Sequence, residues 1–272
     1  NLVNAALYIL TKDKLQDLNF HSKNVDIAKN LFPLMLSRKN KITGYLSTEY
    51  IKDAGTIERL NKIKKDIKSG IVKSMKKKTK KVAIFIDRDG TINKEVNYVN
   101  DQKQFELIKG AAKAISKINK SGKLSIVITN QPGIARGDLD INNLKVIHNK
   151  METLLGREGA YVDRIYYCPH HTDSGFAGEV KELKIKCNCR KPNIGLFEQA
   201  KKDLNIDFKN SWVIGDSTRD ILAAKKAGMK SVLVQTGYAG KDNSYKVNPD
   251  FTTKDLNEAV DLILIKKRLY DN

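Results

Sequence analysis

Cysteine is scarce in this chain, three among 272 residues. An odd number crowded between Cys168 and Cys189 is not the disulfide framework of a small secreted scaffold and points instead to a metal site. Proline is equally sparse, with 5 residues, which excludes a proline-rich or collagen-like chain. No apolar run approaches the ~20 residues that a membrane helix needs, so no membrane partner is expected. The apolar start, residues 1–10, has no basic leader and no small-residue cleavage site, and does not read as a secretory signal. A cytoplasmic location is the expectation. There is no internal repeat.

Lysine is what the chain has in excess. With 50 basic and 31 acidic residues the formal charge is +19, and residues 1–80 alone hold 18 basic against 7 acidic side chains. Yet Lys outnumbers Arg by 41 to 9, whereas recognition of phosphates and bases leans on the bidentate guanidinium. The charge therefore reads as a solvated surface, and no specific nucleic-acid partner is expected. A zinc-stabilised nucleic-acid-binding module is the rival from another class, and it leaves the acidic residues described next without a role.

Residues 61–80, with nine Lys and one Asp, read as a linker. The expected division is 1–70, a Lys-rich linker over 71–80, and a domain over 81–272. In that domain short apolar runs alternate with amphipathic ones. Strands are expected at 82–86, 124–128, 165–167, 212–214 and 231–234, and helices at 109–120, 142–155, 194–204, 218–227 and 255–269. Such alternation predicts an α/β fold: a three-layer, Rossmann-like parallel sheet with helices on both faces.

In such a sheet, ligands bind beyond the carboxyl ends of the strands. Three strands end in polar clusters: FIDRDGT (85–91), VITNQPG (127–133) and VIGDSTRD (213–220). Asp87 and Asp89 are two residues apart and precede Gly90, which permits a tight turn, so both acids can reach one small site. Their mutual repulsion then keeps one protonated unless a cation intervenes. A nucleophile and a proton donor are the roles such a pair can divide. Thr129 and Asn130, with Lys191 or Arg190, supply donors for a phosphoryl group, and Asp216 suits a hard cation such as Mg²⁺. A second cluster, Cys168-Pro-His170-His171 and Cys187-Asn-Cys189, offers four soft or borderline ligands, enough to close a tetrahedral structural zinc site with either histidine.

In order and spacing, DRDGT, ITNQPGIARG, CNCRKPNIG and VIGDSTRD resemble the haloacid dehalogenase superfamily of phosphatases over about residues 81–240. Within it they are similar to the zinc-containing group of heptose-bisphosphate and histidinol-phosphate phosphatases. The resemblance implies Asp87 as nucleophile, forming an aspartyl-phosphate, and Asp89 as general acid and then base. It implies catalytic Mg²⁺ bound by the Asp87 carboxylate, the Asp89 carbonyl and Asp216, with Asp220 supporting that shell. Thr129 and Lys191 would bind the phosphoryl oxygens; Asn130, Gln131 and Arg190 would face the substrate. Structural Zn²⁺ would sit on Cys168, His170, Cys187 and Cys189. Ser217 stands where some relatives carry Lys. No insertion is long enough for a large cap, and the 16 residues between His170 and Cys187 look more like the heptose-bisphosphate enzymes, which implies a small-molecule sugar phosphate as substrate.

The segments VNAALYIL (3–10), LFPLML (31–36) and GYLSTEYIKDAGTIERL (44–60) are similar to the C-terminal part of sugar-phosphate nucleotidyltransferases, with Asp53 in a D-x-G-T motif. That family's glycine-rich nucleotide loop is missing, so no catalysis is expected there. The broken pattern and the absence of an initiator Met raise the expectation of a truncated bifunctional parent.

Overall fold

The computed structural model describes residues 4–16, 24–47 and 49–270, the last five as backbone. Val3 and Thr48, within the N-terminal segments just quoted, lie outside them. The chain divides into two compact units, residues 2–51 and 52–272. The smaller contains helix α1 (Lys12–Gln16) and a π-helical turn, Ile27–Leu31, that runs into α2 (Phe32–Ser37). Among its described residues Leu31 and Met35 are buried, with Leu10, Leu15, Val25 and Ile27 packed around them.

The larger unit begins with α3 (Ile57–Lys68) and α4 (Ile71–Ser74). Much of the expected linker is therefore helical. Among the lysines, Ile57, Leu60, Ile63 and Ile67 recur at helical spacing, Ile63 half-buried and the other three exposed, and the Thr56 hydroxyl caps the start by accepting from the Arg59 N–H at 3.3 Å. The D-x-G-T segment has a local account too: Asp53 accepts from the Gly55 N–H at 2.9 Å and pairs with Arg59, which shapes the turn into α3.

Next comes a six-stranded, wholly parallel sheet: β1 (Ala83–Ile86), β2 (Leu124–Asn130), β3 (Arg164–Cys168), β4 (Trp212–Gly215), β5 (Lys230–Val234) and β6 (Phe251–Thr253), in the order β3-β2-β1-β4-β5-β6. The helices between are α5 (Ala111–Lys120), α6 (Gly133–Arg136), α7 (Ile141–Arg157), α8 (Gly195–Leu204), α9 (Thr218–Lys226) and, last, α10 (Leu256–Tyr270). Every strand and helix expected after residue 81 is present, with ends displaced by no more than two residues. The three-residue β6 and one-turn α6 are additions too short for a periodic signal.

Side-chain alternation along the strands builds the layers. Ile84 and Ile86 of β1 point into one core with residues of α5, α7 and α10, while Ala83 and Phe85 point into the other with α8 and α9. All four are fully buried, as a central strand covered on both faces should be. No helix among the described residues is long and apolar enough to cross a membrane.

Candidate active site

The chain runs from β1 outward through β2 to β3, then returns to the other side of β1 with β4. At such a reversal the connecting loops part and leave a crevice at the carboxyl edge. Asp87 follows β1 and Asp216 follows β4, and the two flank that crevice. One cleft is lined by Asp87, Asp89, Thr129, Asn130, Gln131, Arg190, Lys191 and Asp216. Asp220, buried beneath, completes the set of expected residues on this side of the sheet.

Gly90 makes the turn possible. Its φ is +76°, and a Cβ there would run into the Asp216 carboxylate. Gly237 packs on the same carboxylate from the loop after β5. That loop also donates the Tyr238 N–H to Asp216 Oδ2 at 2.7 Å and the Gly240 N–H to the Asp216 carbonyl at 2.7 Å.

Carboxylate oxygens of Asp87, Asp216 and Asp220 all lie within 4.8 Å of one another. Lys191, 4 % exposed, sits among them: Nζ is 2.9 Å from Asp87 Oδ1 and 2.6 Å from Asp220 Oδ1, and it donates to the Ile128 carbonyl at 2.8 Å. One ammonium against three acids, Asp216 and Asp220 buried and Asp87 half-buried, leaves negative charge uncompensated. Burial first, then the charge of Asp220, pushes the Asp87 pKa up to about 7 against the pull of Lys191. Burial, then Asp87 and Asp220, raises that of Asp216 further. Burial works to lower the Lys191 pKa, but Asp220 and Asp87 outweigh it and hold the ammonium charged. A buried, oxygen-only, electron-rich cluster fits a hard divalent cation.

Asp89 departs from the expectation of mutual repulsion within the D-x-D pair. Its carboxylate turns away from that cluster toward Arg88, whose Nη2 donates to both oxygens at 2.8 Å, and accepts further from Asn93 at 3.0 Å and Gln131 at 2.9 Å. Burial would raise its pKa, but the Arg88 charge and these bonds together hold it below the usual carboxylate value. Asp89 is the last of the causes acting on Asp87, and Asp220 is the principal charge.

Asn130 and Gln131 line the cleft with their amides already engaged. Asn130 accepts from the Lys191 N–H at 3.0 Å and donates to its carbonyl at 3.1 Å, which fixes the lysine's backbone. Gln131 donates to Thr129 Oγ1 at 2.8 Å as well as to Asp89. Ser217 caps α9 with Asp220: its hydroxyl donates to Asp220 Oδ2 at 2.7 Å, so a neutral side chain helps to hold this acid.

The sulfur and nitrogen ligands also converge. Cys168 Sγ lies 3.6 Å from Cys187 Sγ and 3.0 Å from Cys189 Sγ, and His170 Nδ1 lies 3.7 and 3.1 Å from Cys168 and Cys189. All three thiols are free. Tetrahedral zinc with Zn–S bonds of about 2.3 Å has S···S edges of about 3.8 Å, so this soft donor set fits the ion after small adjustment. His171 is elsewhere: Nδ1 accepts from the Asp173 N–H at 3.1 Å and Nε2 faces Arg136. The Arg190 guanidinium donates to the His170 carbonyl at 3.3 Å, tying the cysteine loop to the cleft.

Other cleft residues carried no sequence signal. Glu95, Tyr98, Arg219 and Tyr238 line it, yet none stands in a strand-end cluster except Arg219, which passes for a helix-surface arginine. The GYAG run at 237–240 was the available clue to the Asp216 cradle.

A parallel sheet that brings a strand-end carboxylate, a buried ammonium and a cation-type acidic cluster into one cleft has the equipment for phosphoryl transfer. Comparison with known proteins agrees. Residues 188–259 match the family described as HAD-hydrolase-like. The chain is 44 % identical over 161 residues to the D-glycero-beta-D-manno-heptose-1,7-bisphosphate 7-phosphatase of Haemophilus ducreyi, covering 58 % of this chain and 86 % of that one. It is 41 % identical to the protein of that name from Vibrio cholerae, over 58 % of this chain and 83 % of that one. Among solved structures, the D,D-heptose 1,7-bisphosphate phosphatase of B. bronchiseptica, complexed with magnesium and phosphate, superposes with a TM-score of 0.60 at 31 % identity, covering 68 % of this chain and 99 % of that one. The chain belongs to the haloacid-dehalogenase-like phosphatases.

Proposed function

We propose that this protein removes the 7-phosphate of D-glycero-D-manno-heptose 1,7-bisphosphate through an aspartyl-phosphate on Asp87, in the biosynthesis of nucleotide-activated heptose. The observation that carries the mechanism is the placement of Asp87: at the end of the central strand, beside Lys191, in one cleft with Asp89 and Asp216. The substrate follows from the relatives named above.

An Asp87 oxygen attacks phosphorus as the bond to the sugar oxygen breaks, and Asp89 gives its proton to the departing alkoxide. Asp89 rests ionised, and the negative charge of the entering phosphate favours its taking up that proton. Water then attacks the phosphorus of the aspartyl-phosphate, returning a proton to Asp89 and releasing inorganic phosphate with Asp87 restored. Lys191 Nζ, already at the Asp87 carboxylate, and Thr129 hold the phosphoryl oxygens. Asn130, Gln131 and Arg190 form the wall that the sugar meets. Magnesium, held by the Asp87 carboxylate, the Asp89 carbonyl and Asp216, with Asp220 in support, would neutralise charge on the transferring group. Zinc on Cys168, His170, Cys187 and Cys189 would leave no open position for water, and would stiffen the loop that presents Arg190 and Lys191.

The nucleotidyltransferase resemblance of residues 1–70 belongs to the same proposal, since a sugar 1-phosphate is what such an enzyme consumes. A phosphate-release assay with Mg²⁺ across sugar bisphosphates, sugar monophosphates and histidinol phosphate tests the reading. The heptose bisphosphate should give the highest kcat/KM; a preference for histidinol phosphate would overturn the substrate assignment.

A further inference from the structure

Arg88 lies between the two acids of the D-x-D pair, and its side chain is completely buried. A guanidinium carries five N–H groups and stays charged, so burying one costs several kcal/mol unless its donors are met. Here each of its three nitrogens has a partner, from three directions. Nε and Nη2 converge on the Asp89 carboxylate at 3.1 and 2.8 Å, Nη2 also reaches Gln131 Oε1 at 3.2 Å, and Nη1 lies 3.4 Å from His148 Nε2.

His148 comes from α7, sixty residues further along the chain, and is 8 % exposed. Because a guanidinium only donates, Nε2 must accept, and the proton of the neutral ring sits on Nδ1. Burial first, then the Arg88 charge, keeps the imidazole neutral, with its pKa pushed down to about 3. The ring is packed edge-on against Tyr167, with centroids 6.0 Å apart, so it is a fixed backstop. From this side Arg88 cannot retreat, and on the other it grips Asp89. Asp89 is accordingly absent from the Asp87, Asp216 and Asp220 cluster.

We infer that Arg88, braced by His148, is the positioning residue for Asp89, setting where the carboxyl group that serves the leaving oxygen stands. This rests on the phosphatase reading above. It assigns His148 a part in the reaction although the ring touches neither substrate nor reacting atoms. The contribution should appear only where the leaving group needs a proton. A sugar alkoxide does; p-nitrophenolate, a stable anion, does not.

The experiment compares kcat/KM for heptose 1,7-bisphosphate and for p-nitrophenyl phosphate in the full chain with Mg²⁺. In this two-step scheme kcat/KM covers the steps through leaving-group departure and excludes hydrolysis of the aspartyl-phosphate. His148→Leu removes the acceptor. We expect it to lower the sugar-to-aryl ratio of kcat/KM by about ten-fold or more, a fraction of what a general acid contributes. His148→Gln, whose amide oxygen accepts in the same region, should restore most of the ratio, and Arg88→Lys should lower it. Equal losses on both substrates in His148→Leu, or no rescue by His148→Gln, would overturn the positioning role. A wild-type chain that hydrolyses neither ester would instead overturn the phosphatase reading on which it stands.

Discussion

Lys191 Nζ lies 2.9 Å from the Asp87 carboxylate, and its other bonds go to Asp220 and the Ile128 carbonyl. The acid at the end of β1 is thus paired with a cation delivered from the cysteine loop, which it shares with Asp220. Asn130 fixes the backbone of that cation from the end of β2. Nucleophile, counter-ion and loop form one unit.

Removing the cation should therefore harm stability as well as turnover. Lys191→Met leaves Asp87 and Asp220 facing each other in a buried site, where loss of one partner costs about 3–5 kcal/mol. Activity should fall by at least about a hundred-fold, as for lost stabilisation of transition-state charge. The drop in unfolding midpoint should be larger near pH 8 than near pH 5, because protonation of Asp87 relieves the repulsion. A loss independent of pH in Mg²⁺-free buffer counts against this account of the cluster.

Asp87→Asn should abolish phosphate release, by at least about a thousand-fold, as removal of a covalent nucleophile does. The variant should be no less stable than the parent, because it deletes a carboxylate whose charge is disfavoured by burial and Asp220. Thermal unfolding checks the second claim and a phosphate assay the first. Substantial residual turnover in a clean preparation would exclude covalent catalysis at this position.

Cys187→Ser together with Cys189→Ser removes half of the Cys168, His170, Cys187 and Cys189 donor set. Elemental analysis should find about one equivalent of zinc in the parent and none in the double variant. Both a rise in KM and a fall in kcat are expected, because the loop carries Arg190 and also Lys191, whose ammonium meets Asp87. Retention of zinc by the double variant would show that other residues bind it.

Asp163 gives a pH test remote from the cleft. Its Oδ2 accepts from the Ser125 N–H at 2.8 Å and hydroxyl at 3.2 Å, yet burial outweighs these bonds and pushes its pKa up to about 6. The folded-state value lies above the unfolded one of about 3.9, so the folded form holds the proton more tightly. That stabilisation is complete below the unfolded value and is lost as pH rises through about 6, by up to about 3 kcal/mol. Asp163→Asn should remove this slope. Parent and variant unfolding curves that stay parallel from about pH 4 to pH 7 would refute the shift.

Much of this molecule is legible in one dimension. The buried strands are continuous apolar runs because both faces of a parallel sheet are covered, as Ile84 to Ile86 illustrate. Asp87, Asn130 and Asp216 are recognisable because chain direction alone sends the ends of parallel strands to one edge. The cysteine spacing identified its own cluster. Helix α3 was obscured, since lysines crowd its polar face and make an amphipathic repeat look like tethering sequence.

What the order of residues determined, then, is the sheet, the edge on which chemistry gathers and the kinds of groups gathered there, because backbone periodicity and strand polarity are local properties. Tertiary structure alone decided which partner each group meets. The sequence neighbours Asp87 and Asp89 point to different company, one to Lys191 and the other to Arg88, while Asp220, far along the chain, is the chief charge acting on Asp87. The backing of Arg88 by His148 joins residues sixty positions apart. Such distances are set by how helices pack on the sheet, and burial then converts them into charge states that no spacing of letters reveals.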